Sequence, residues 1–436
     1  MMKALDRVVS LYRKQYESDP VLTLFLTILI VFFALFVASV IITGGDTLYY
    51  TLNSDQSKLF SDHFDSIFSG SDRPYTQYQV IYPSLATVFY IILGNFVIPF
   101  VNIPAGGSLS SEMIRDSQVG IMSFFVIVLM MFFTLHMIFS RILKDRHRQK
   151  EFVFLFVILL GYPFIYALER GNNIILALIF CFLFLLGYRS ENKFIRYASY
   201  VALGIAAGFK IYPAILVLLI ARDRKRTGRR YAYKETGICI SVVMLLMFVP
   251  FIFTDGTPLV FLENVISYTG ANLGVTNINQ IILGIFQETL GWPGDIVSVI
   301  SYAMIGLFTL LSVIVILFDT EMKFWKVIAL LSCNLILGLG VGIQYQVIYM
   351  AMPILFFLAA EKEMTRENLF YTLCFAMTMI LVPGIAQGAS AVIGAMESAV
   401  VAVIAIALLR EGLLRIYRNR SAERDLSRLQ HPNDAK

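Results

Sequence analysis

Long apolar stretches separated by short charged segments run through almost the whole chain. The first, residues 21–43, has 23 residues and no charged side chain. About 20 apolar residues suffice to cross a bilayer as a helix, and this stretch is too long for a signal-peptide core, so we expect a retained anchor. The other predicted spans are approximately residues 118–140, 152–168, 173–188, 235–254, 296–318, 324–342, 346–360, 368–383 and 390–409. The pattern predicts an all-α protein that crosses the membrane many times.

The basic side chains between the apolar stretches predict which segments face the cytoplasm, because short cytoplasmic loops are rich in Lys and Arg. Basic clusters lie at the amino terminus and at residues 141–150, 189–196, 222–234 and 410–420. The segment 44–117 instead holds seven acids against three bases, and we place it outside. Both termini are therefore expected in the cytoplasm of a membrane that we take to be a bacterial plasma membrane.

One apolar stretch inside the outer segment does not fit as a full span. The first helix ends outside and the next basic cluster lies inside, so only one of the two stretches between them crosses. Residues 81–103 contain Pro83, the pair Gly94-Asn95 and Pro99, which interrupt a helix. We predict a helix there that lies in or on the outer membrane face.

A second stretch, residues 195–219, has basic residues on both sides, so the chain must enter the membrane and return. It is too short for two full spans. Gly208 and Pro213 favour a break between two half-length helices. Lys210 lies at that break, inside the protein body, where a lysine that faced lipid would be costly. We therefore expect it to line a wet cavity.

These segments add up to a bundle of about twelve transmembrane or half-membrane helices. We predict one transmembrane catalytic domain, residues 1–420, whose outer loop is residues 44–117. Residues 421–436 are polar and predict a disordered cytoplasmic tail.

Composition agrees with a membrane protein and excludes other classes. The chain is 58% hydrophobic and 15% charged, whereas soluble proteins are about 25% charged. The net charge of +5 comes from topological clusters, so no nucleic-acid partner is expected. The four cysteines lie in apolar stretches, which argues against disulfides. No Asp-x-Asp pair lies near the outer face, and we predict neither metal nor cofactor.

The predicted topology collects polar and aromatic residues at the outer face, whereas the cytoplasmic loops hold little but basic residues and their counter-ions. The candidate site residues are Asp46, Tyr49, Tyr50, Tyr82, Arg170, Asn172, Asn173, Lys210, Asn272, Gln344, Tyr345 and Gln346.

This set suits transfer of a sugar from a lipid-linked phosphate. Lys210 or Arg170 would stabilise the charge that develops on the leaving phosphate. Asp46 would take the proton from an acceptor hydroxyl. The tyrosines and amides would bind sugar hydroxyls, and an apolar cleft between helices, open to membrane lipid, would hold the polyprenyl tail.

Several segments resemble a known family. The acid and tyrosines after the first helix, residues 46–50, resemble the C-type glycosyltransferase superfold. Residues 74–75 and 82–85 resemble the PY…YPPL run of glycosyltransferase family 87, the group that depends on polyprenyl-phosphate mannose. Residues 171–173 are similar to the family's GQxN turn, and residues 204–213 to its GLAAALKxxP segment.

The second half of the chain resembles the family less closely. Residues 272–274 are similar to a GNxS element. Residues 344–346, Gln-Tyr-Gln, stand where the family has a late histidine motif, and Ser84 replaces the second proline of YPPL. The resemblance implies a C-type bundle with an outward-facing active site and a polyprenyl-phosphate sugar donor, mannose-like hexose above all. It implies a glycan or glycolipid acceptor and an inverting single displacement with Asp46 as base.

Simpler interpretations of these residues stay open at this stage. Asp46 is one of seven acids in its region, and the tyrosines are typical of membrane interfaces. Arg170 or Lys210 could pair with Glu169 alone. The two asparagines, 172 and 173, could cap a tight turn. His136 and Glu397 lie in apolar spans and have no assigned role.

Two other function classes are also open. A transporter or flippase is expected to carry paired polar residues near the membrane centre in both halves of a repeat, and no repeat is visible here. A polysaccharide polymerase would carry a large late outer loop, whereas the late loops here are short.

Overall fold

The computed structural model describes residues 10–430 except 11, 53–57, 147–148, 225–227, 272–285, 288, 339–343, 385 and 387–388, and these described residues include no β-strand. The first part of the chain forms α1 (Pro20–Ile42), α2 (Asp46–Thr51), α3 (Ser61–Gly70), α4 (Ser84–Val97), α5 (Ser111–Asp116), α6 (Gln118–Ile142), α7 (Gln149–Phe154), α8 (Tyr162–Glu169), α9 (Ile174–Gly187) and α10 (Lys193–Phe209). The rest forms α11 (Leu218–Arg222), α12 (Arg229–Phe248), α13 (Pro258–Ala271), α14 (Gly294–Phe318), α15 (Phe324–Leu337), α16 (Ala351–Ala360), α17 (Arg366–Met377) and α18 (Ala389–Gln430).

The predicted all-α membrane architecture is confirmed. Within the described ranges, five helices are long and apolar enough to cross a membrane. They are Pro20–Ile42, Gln118–Ile142, Arg229–Phe253, Gly294–Phe318 and Val392–Asn419. A sixth crossing results if the bent pair α7–α8 counts as one span, and shorter apolar helices fill the bundle between them.

The bent pair replaces the single straight helix expected over residues 152–168. The two parts meet at 48°. A π-helical turn, Leu155–Leu159, precedes the bend, and such turns are common causes of kinks. A Cβ atom at Gly161 would lie 2.1 Å from the Val157 carbonyl oxygen, and Pro163 follows in the first turn of α8. The bend therefore depends on a glycine and a proline at adjacent turns.

The break predicted at Lys210 is present. α10 ends at Phe209, and Lys210 has an extended backbone with φ −146° and ψ 125°. The two arms are unequal, because α10 has 17 residues and extends about 25 Å at 1.5 Å per residue. The chain returns through a 3₁₀ helix, Tyr212–Val217, whose larger rise per residue lets few residues reach back to α11. The expectation of two half-length helices is wrong for the first arm.

Two further expectations concern the outer loop and the carboxyl terminus. α4 has 14 residues, fewer than a span needs, and its in-plane orientation stays a prediction.

The disorder expected from residue 421 is wrong as far as Gln430, because α18 continues to that residue. Residues 420–430 are mostly Ala, Leu, Arg, Glu and Gln, which have high helix propensity.

Central helices are buried on every side. In α15 each residue from Trp325 to Leu337 is buried, and most of α9 is buried as well. A helix that is apolar all round belongs in the interior. These two helices form the core against which the others pack.

The end of the bundle where α1 begins and α6 ends holds most of the buried ion pairs, and we call it the charge-paired end. Arg146 binds the carboxylate of Asp19 and two backbone carbonyls. Arg222 donates to three carbonyls in the connection between α14 and α15. Lys326 donates to both carboxylate oxygens of Glu411 at 2.6 Å. These contacts join helices that are distant in sequence.

Candidate functional site

The opposite end of the bundle, where α1 and α10 end and α3 begins, is organised around Asp62, and we call it the Asp62 end. Arg170 donates from Nη2 to Asp62 Oδ1 at 2.8 Å, and Asn172 donates from Nδ2 to Oδ2 at 2.6 Å. Two backbone bonds add to this contact, from Phe60 N to Glu169 O and from Asp62 N to Arg170 O. The start of α3 is therefore fixed to the turn between α8 and α9.

That turn requires a glycine and an asparagine at its centre. Gly171 has φ +66°, and a Cβ atom there would lie 3.0 Å from both His63 Cβ and Phe60 O. Asn172 Oδ1 accepts a hydrogen bond from Ile174 N at 3.0 Å, which satisfies a free donor at the start of α9. Asn172 thus caps α9 and holds Asp62 with the same side chain. Arg170 pairs with Asp62 rather than only with its neighbour Glu169.

Lys210 lies nearby, buried, with 9% of its surface exposed. Its ammonium is 4.5 Å from the ring centre of Tyr82 and 5.9 Å from that of Tyr345, distances typical of cation–π contacts. The negative charge of Asp62 interacts electrostatically with this ammonium. Among the described residues, however, no carboxylate oxygen lies within the 4.0 Å of an ion pair. Lys210 is therefore a buried cation that faces aromatic rings instead of an acid.

A row of aromatic rings leads away from Lys210, and we call it the tyrosine row: Tyr345, Tyr166 and Tyr162. Successive ring centres are 6.3 Å and 5.9 Å apart, and the rings are inclined by about 30°. At the far end, the Tyr162 hydroxyl donates to Thr51 O at 3.3 Å. Thr51 is the last residue of α2, so the row connects Lys210 with the helix that Asp46 begins.

Asp46 is exposed at the start of α2. Gly44 and Gly45 have positive φ angles and make the sharp turn out of α1. Thr47 fixes α2 to α1 through Ser39 at 2.8 Å. In the part of the chain that is described, Asp46 forms no ion pair. The structure brings together Lys210, Arg170, Asn172, Tyr82 and Tyr345, and it connects Asp46 to them through α2 and the tyrosine row.

The other candidate aromatic and amide residues divide between exposed and buried positions. Tyr49 is 47% exposed and Tyr50 half-buried, with their rings edge to face at 5.5 Å. Gln344 and Gln346 are buried on a 3₁₀ helix, Gln344–Met350. Asn272 lies outside the described residues, as do the polar residues that follow it as far as 280.

Asn173 lines a small buried cavity next to the site. The cavity has a volume of about 20 Å³ and is lined by Asn173, His63 and Tyr90 among mostly apolar residues, which is space for about one water molecule. His63 is packed against the rings of Phe64, Tyr90 and Phe124. Burial lowers the pKa of His63 to about 4, so this histidine is neutral at pH 7.

Sequence reasoning missed Asp62, Tyr166 and Tyr162. Asp62 is one of seven acids in the outer segment, and no local pattern separates it from the rest. Its importance comes from a contact with residues more than 100 positions away, which a single sequence does not reveal. Of the two residues without a role, His136 binds Glu151 at 2.7 Å on an exposed surface, whereas Glu397 is buried.

Comparison with known proteins identifies the family of this chain. No curated protein and no solved structure is similar enough to this chain to be matched. The model of glycosyltransferase family 87 matches residues 81–337, more than half of the chain, including the α8–α9 turn, Tyr82 and Lys210. The chain therefore belongs to glycosyltransferase family 87 and is a membrane glycosyltransferase.

Proposed function

We propose that this glycosyltransferase moves a hexose, mannose-like in preference, from a polyprenyl-phosphate donor to a glycan or glycolipid acceptor. The reaction is an inverting single displacement on the non-cytoplasmic side. The observation that supports it most is the buried ammonium of Lys210, which has no acid within 4.0 Å among the described residues and lies at the Asp62 end.

An ammonium in this position requires an anion. Removing a cation from water is expensive unless a partner compensates, and the rings of Tyr82 and Tyr345 supply only part of that compensation. Asp62 is already held by Arg170 and Asn172. A donor phosphate next to Lys210 supplies the missing charge. The same cation then stabilises the phosphate as it leaves, when its negative charge increases.

The acceptor side of the site lies at α2. Asp46 is exposed and begins a helix that is fixed to α1 and, through Thr51, to Tyr162. A carboxylate with open access suits a general base for an acceptor hydroxyl. The tyrosine row connects Lys210 with α2, and its half-buried member Tyr166 offers a ring for sugar packing, with the donor sugar nearer Lys210 and the acceptor nearer Asp46.

Charge distribution supports the proposed orientation. The charge-paired end carries the dense basic segments, which favour the cytoplasm, so the Asp62 end faces outward and both termini lie inside. Residues 1–420 then act as one catalytic domain followed by a cytoplasmic segment. Family membership favours an enzyme over the transporter or flippase that the helix pattern alone allows.

Purified protein in vesicles, supplied with a panel of polyprenyl-phosphate hexoses, tests the proposal. Asp46→Asn is expected to lower the rate of transfer by about 10²–10⁴, the usual contribution of a general base. Lys210→Met is expected to lower it by about 10²–10³ and to weaken binding of polyprenyl phosphate. Asp72→Asn and Lys193→Met, exposed residues of the same types, serve as controls and keep full activity.

The result has distinct contrary outcomes. Retained transfer in Asp46→Asn removes that residue as base. Unchanged polyprenyl-phosphate binding in Lys210→Met removes the phosphate contact. Movement of lipid or sugar across the vesicle membrane without transfer by the wild type would favour the transporter.

A further inference from the structure

Two buried ionisable side chains lack a partner among the residues that the structure describes. The described part of the chain buries nine Asp, Glu, Lys or Arg side chains, namely Asp19, Arg146, Arg196, Lys210, Arg222, Glu235, Asp319, Lys326 and Glu397. Seven of them are held by opposite charges or by several carbonyls. Lys210 and Glu397 are the exceptions within that part. The donor phosphate accounts for Lys210, and Glu397 needs its own explanation.

Glu397 lies on an apolar helix, only 3% exposed, and neither carboxylate oxygen has a hydrogen-bond partner among the described residues. It is about two turns into α18 from the Asp62 end. Buried polar atoms in native proteins are nearly always satisfied. An acid that is unsatisfied at both oxygens inside a membrane protein is therefore a candidate for ligand contact.

The neighbours of Glu397 place it at the acceptor end of the site. Ile393, one turn earlier on the same face of α18, packs in one apolar cluster with Tyr162. Gly394 lies against Gln344, since a Cβ atom there would be 2.8 Å from Gln344 Cγ. Glu397 thus lies between α8 and the 3₁₀ helix that begins at Gln344. The Tyr162 hydroxyl already donates to Thr51 O.

We propose that Glu397 recognises the acceptor sugar, its two oxygens accepting hydrogen bonds from two neighbouring hydroxyl groups. The proposal rests on the proposed function insofar as the acceptor is polyhydroxylated. Glu397 lies at the Tyr162 end of the tyrosine row, beside the helix that Asp46 begins, whereas Lys210 and the donor phosphate lie at the other end. The two buried side chains without a described partner therefore mark the two substrates. No group of three metal-ligating side chains occurs in the described ranges, which makes a hydroxyl pair a better fit than a metal ion.

The test uses Glu397→Gln and Glu397→Leu in the full-length enzyme. The acceptor probes are methyl glycosides of mannose, glucose and galactose and their monodeoxy analogues. Glu397→Gln is expected to raise the acceptor KM at least about tenfold, because the amide offers one acceptor oxygen where the proposed contact uses two. Polyprenyl-phosphate binding and slow hydrolysis of the donor by water should be unchanged. A double cycle combines Glu397→Gln with a monodeoxy acceptor. Removing the recognised hydroxyl from the acceptor should raise the acceptor KM of the wild type but not that of the variant.

Thermal stability separates recognition from a structural role. Glu397→Leu should raise Tm, because it replaces an unsatisfied polar group by an apolar one. Glu235→Leu is the matched control: that buried glutamate binds Arg196 and Tyr200, so its loss should lower Tm and leave the acceptor KM unchanged. An unchanged acceptor KM in Glu397→Gln, or a Tm in Glu397→Leu as low as that of Glu235→Leu, overturns the proposal. Absence of any donor turnover by the wild type would instead contradict the proposed function.

Discussion

The two ends of the bundle both bury charged side chains, but they differ in whether the protein supplies an opposite charge. At the charge-paired end, Lys326 binds Glu411, Arg146 binds Asp19, and Arg222 is surrounded by carbonyls. At the Asp62 end, Asp62 is fully engaged, yet Lys210 has no acid within 4.0 Å among the described residues. A charge that another part of the protein neutralises holds helices together. A charge that the protein leaves unmatched is available to a substrate.

The largest expected effect on stability comes from Lys326→Met. Lys326 is buried between Glu411 and Glu367 and lies over the rings of Trp325 and Tyr371. Removing the cation leaves Glu367 without this ion pair, while Glu411 keeps its pair with Arg415. Breaking a buried pair in this way costs about 3–5 kcal/mol. We expect a loss of that size in the free energy of unfolding, measured by denaturation in mixed micelles.

Lys210→Met is the matched comparison, since both lysines are buried and lie near aromatic rings. It should cost little stability or even raise it, because no ion pair is broken. An equal loss in both variants would show that Lys210 is structural, and the distinction between the two ends would fail.

A second prediction concerns pH and the outer helix α3. Burial lowers the pKa of His63 from 6.5 to about 4, so folding favours the neutral ring. The resulting stabilisation is complete above pH 6.5 and is lost as the pH falls from 6.5 towards 4, by up to about 3 kcal/mol. Thermal unfolding of the wild type at pH 7 and pH 5 should show this loss. In His63→Phe, which keeps an aromatic ring among Phe64, Tyr90 and Phe124, the difference should shrink; an unchanged pH dependence would assign it to other groups.

How much of this was predictable depends on the kind of contact. The all-α membrane class and the break at Lys210 follow from local composition, since apolar length and helix-breaking residues act on their own neighbourhood. The sequence does not predict the bend before α8. Its cause is the close approach of Gly161 to the Val157 carbonyl, which only the three-dimensional structure shows. Asp62 was missed for a related reason. Its partners Arg170 and Asn172 are named by the sequence, but only the fold selects this acid among seven.

The smallest expected effect on stability tests whether burial determines how much a charged side chain contributes to the free energy of unfolding. Lys323 is adjacent to the α15 helix that contains Lys326, and it donates to Glu361 at 2.6 Å, yet its side chain is 53% exposed. Burial alone would raise the pKa of Glu361, but hydrogen bonds from Lys323 and Trp325 outweigh it and keep that pKa below its usual value. The Trp325 bond remains in Lys323→Met. We therefore expect a loss of only about 0–1 kcal/mol in the free energy of unfolding, as for other exposed pairs, and a still smaller loss in high salt.

Lys323→Met and Lys326→Met remove the same group three positions apart and differ chiefly in exposure. If both cost the same, burial would not set the energy of a charge in this protein. The absence of an acid within 4.0 Å of Lys210 among the described residues would then carry no implication for a substrate. If the buried lysine costs several times more, a buried lysine that the protein leaves unpaired demands an external anion. The difference between these two variants thus measures how much burial adds to the energy of a charge in this protein, which is the premise of the proposed donor contact at Lys210.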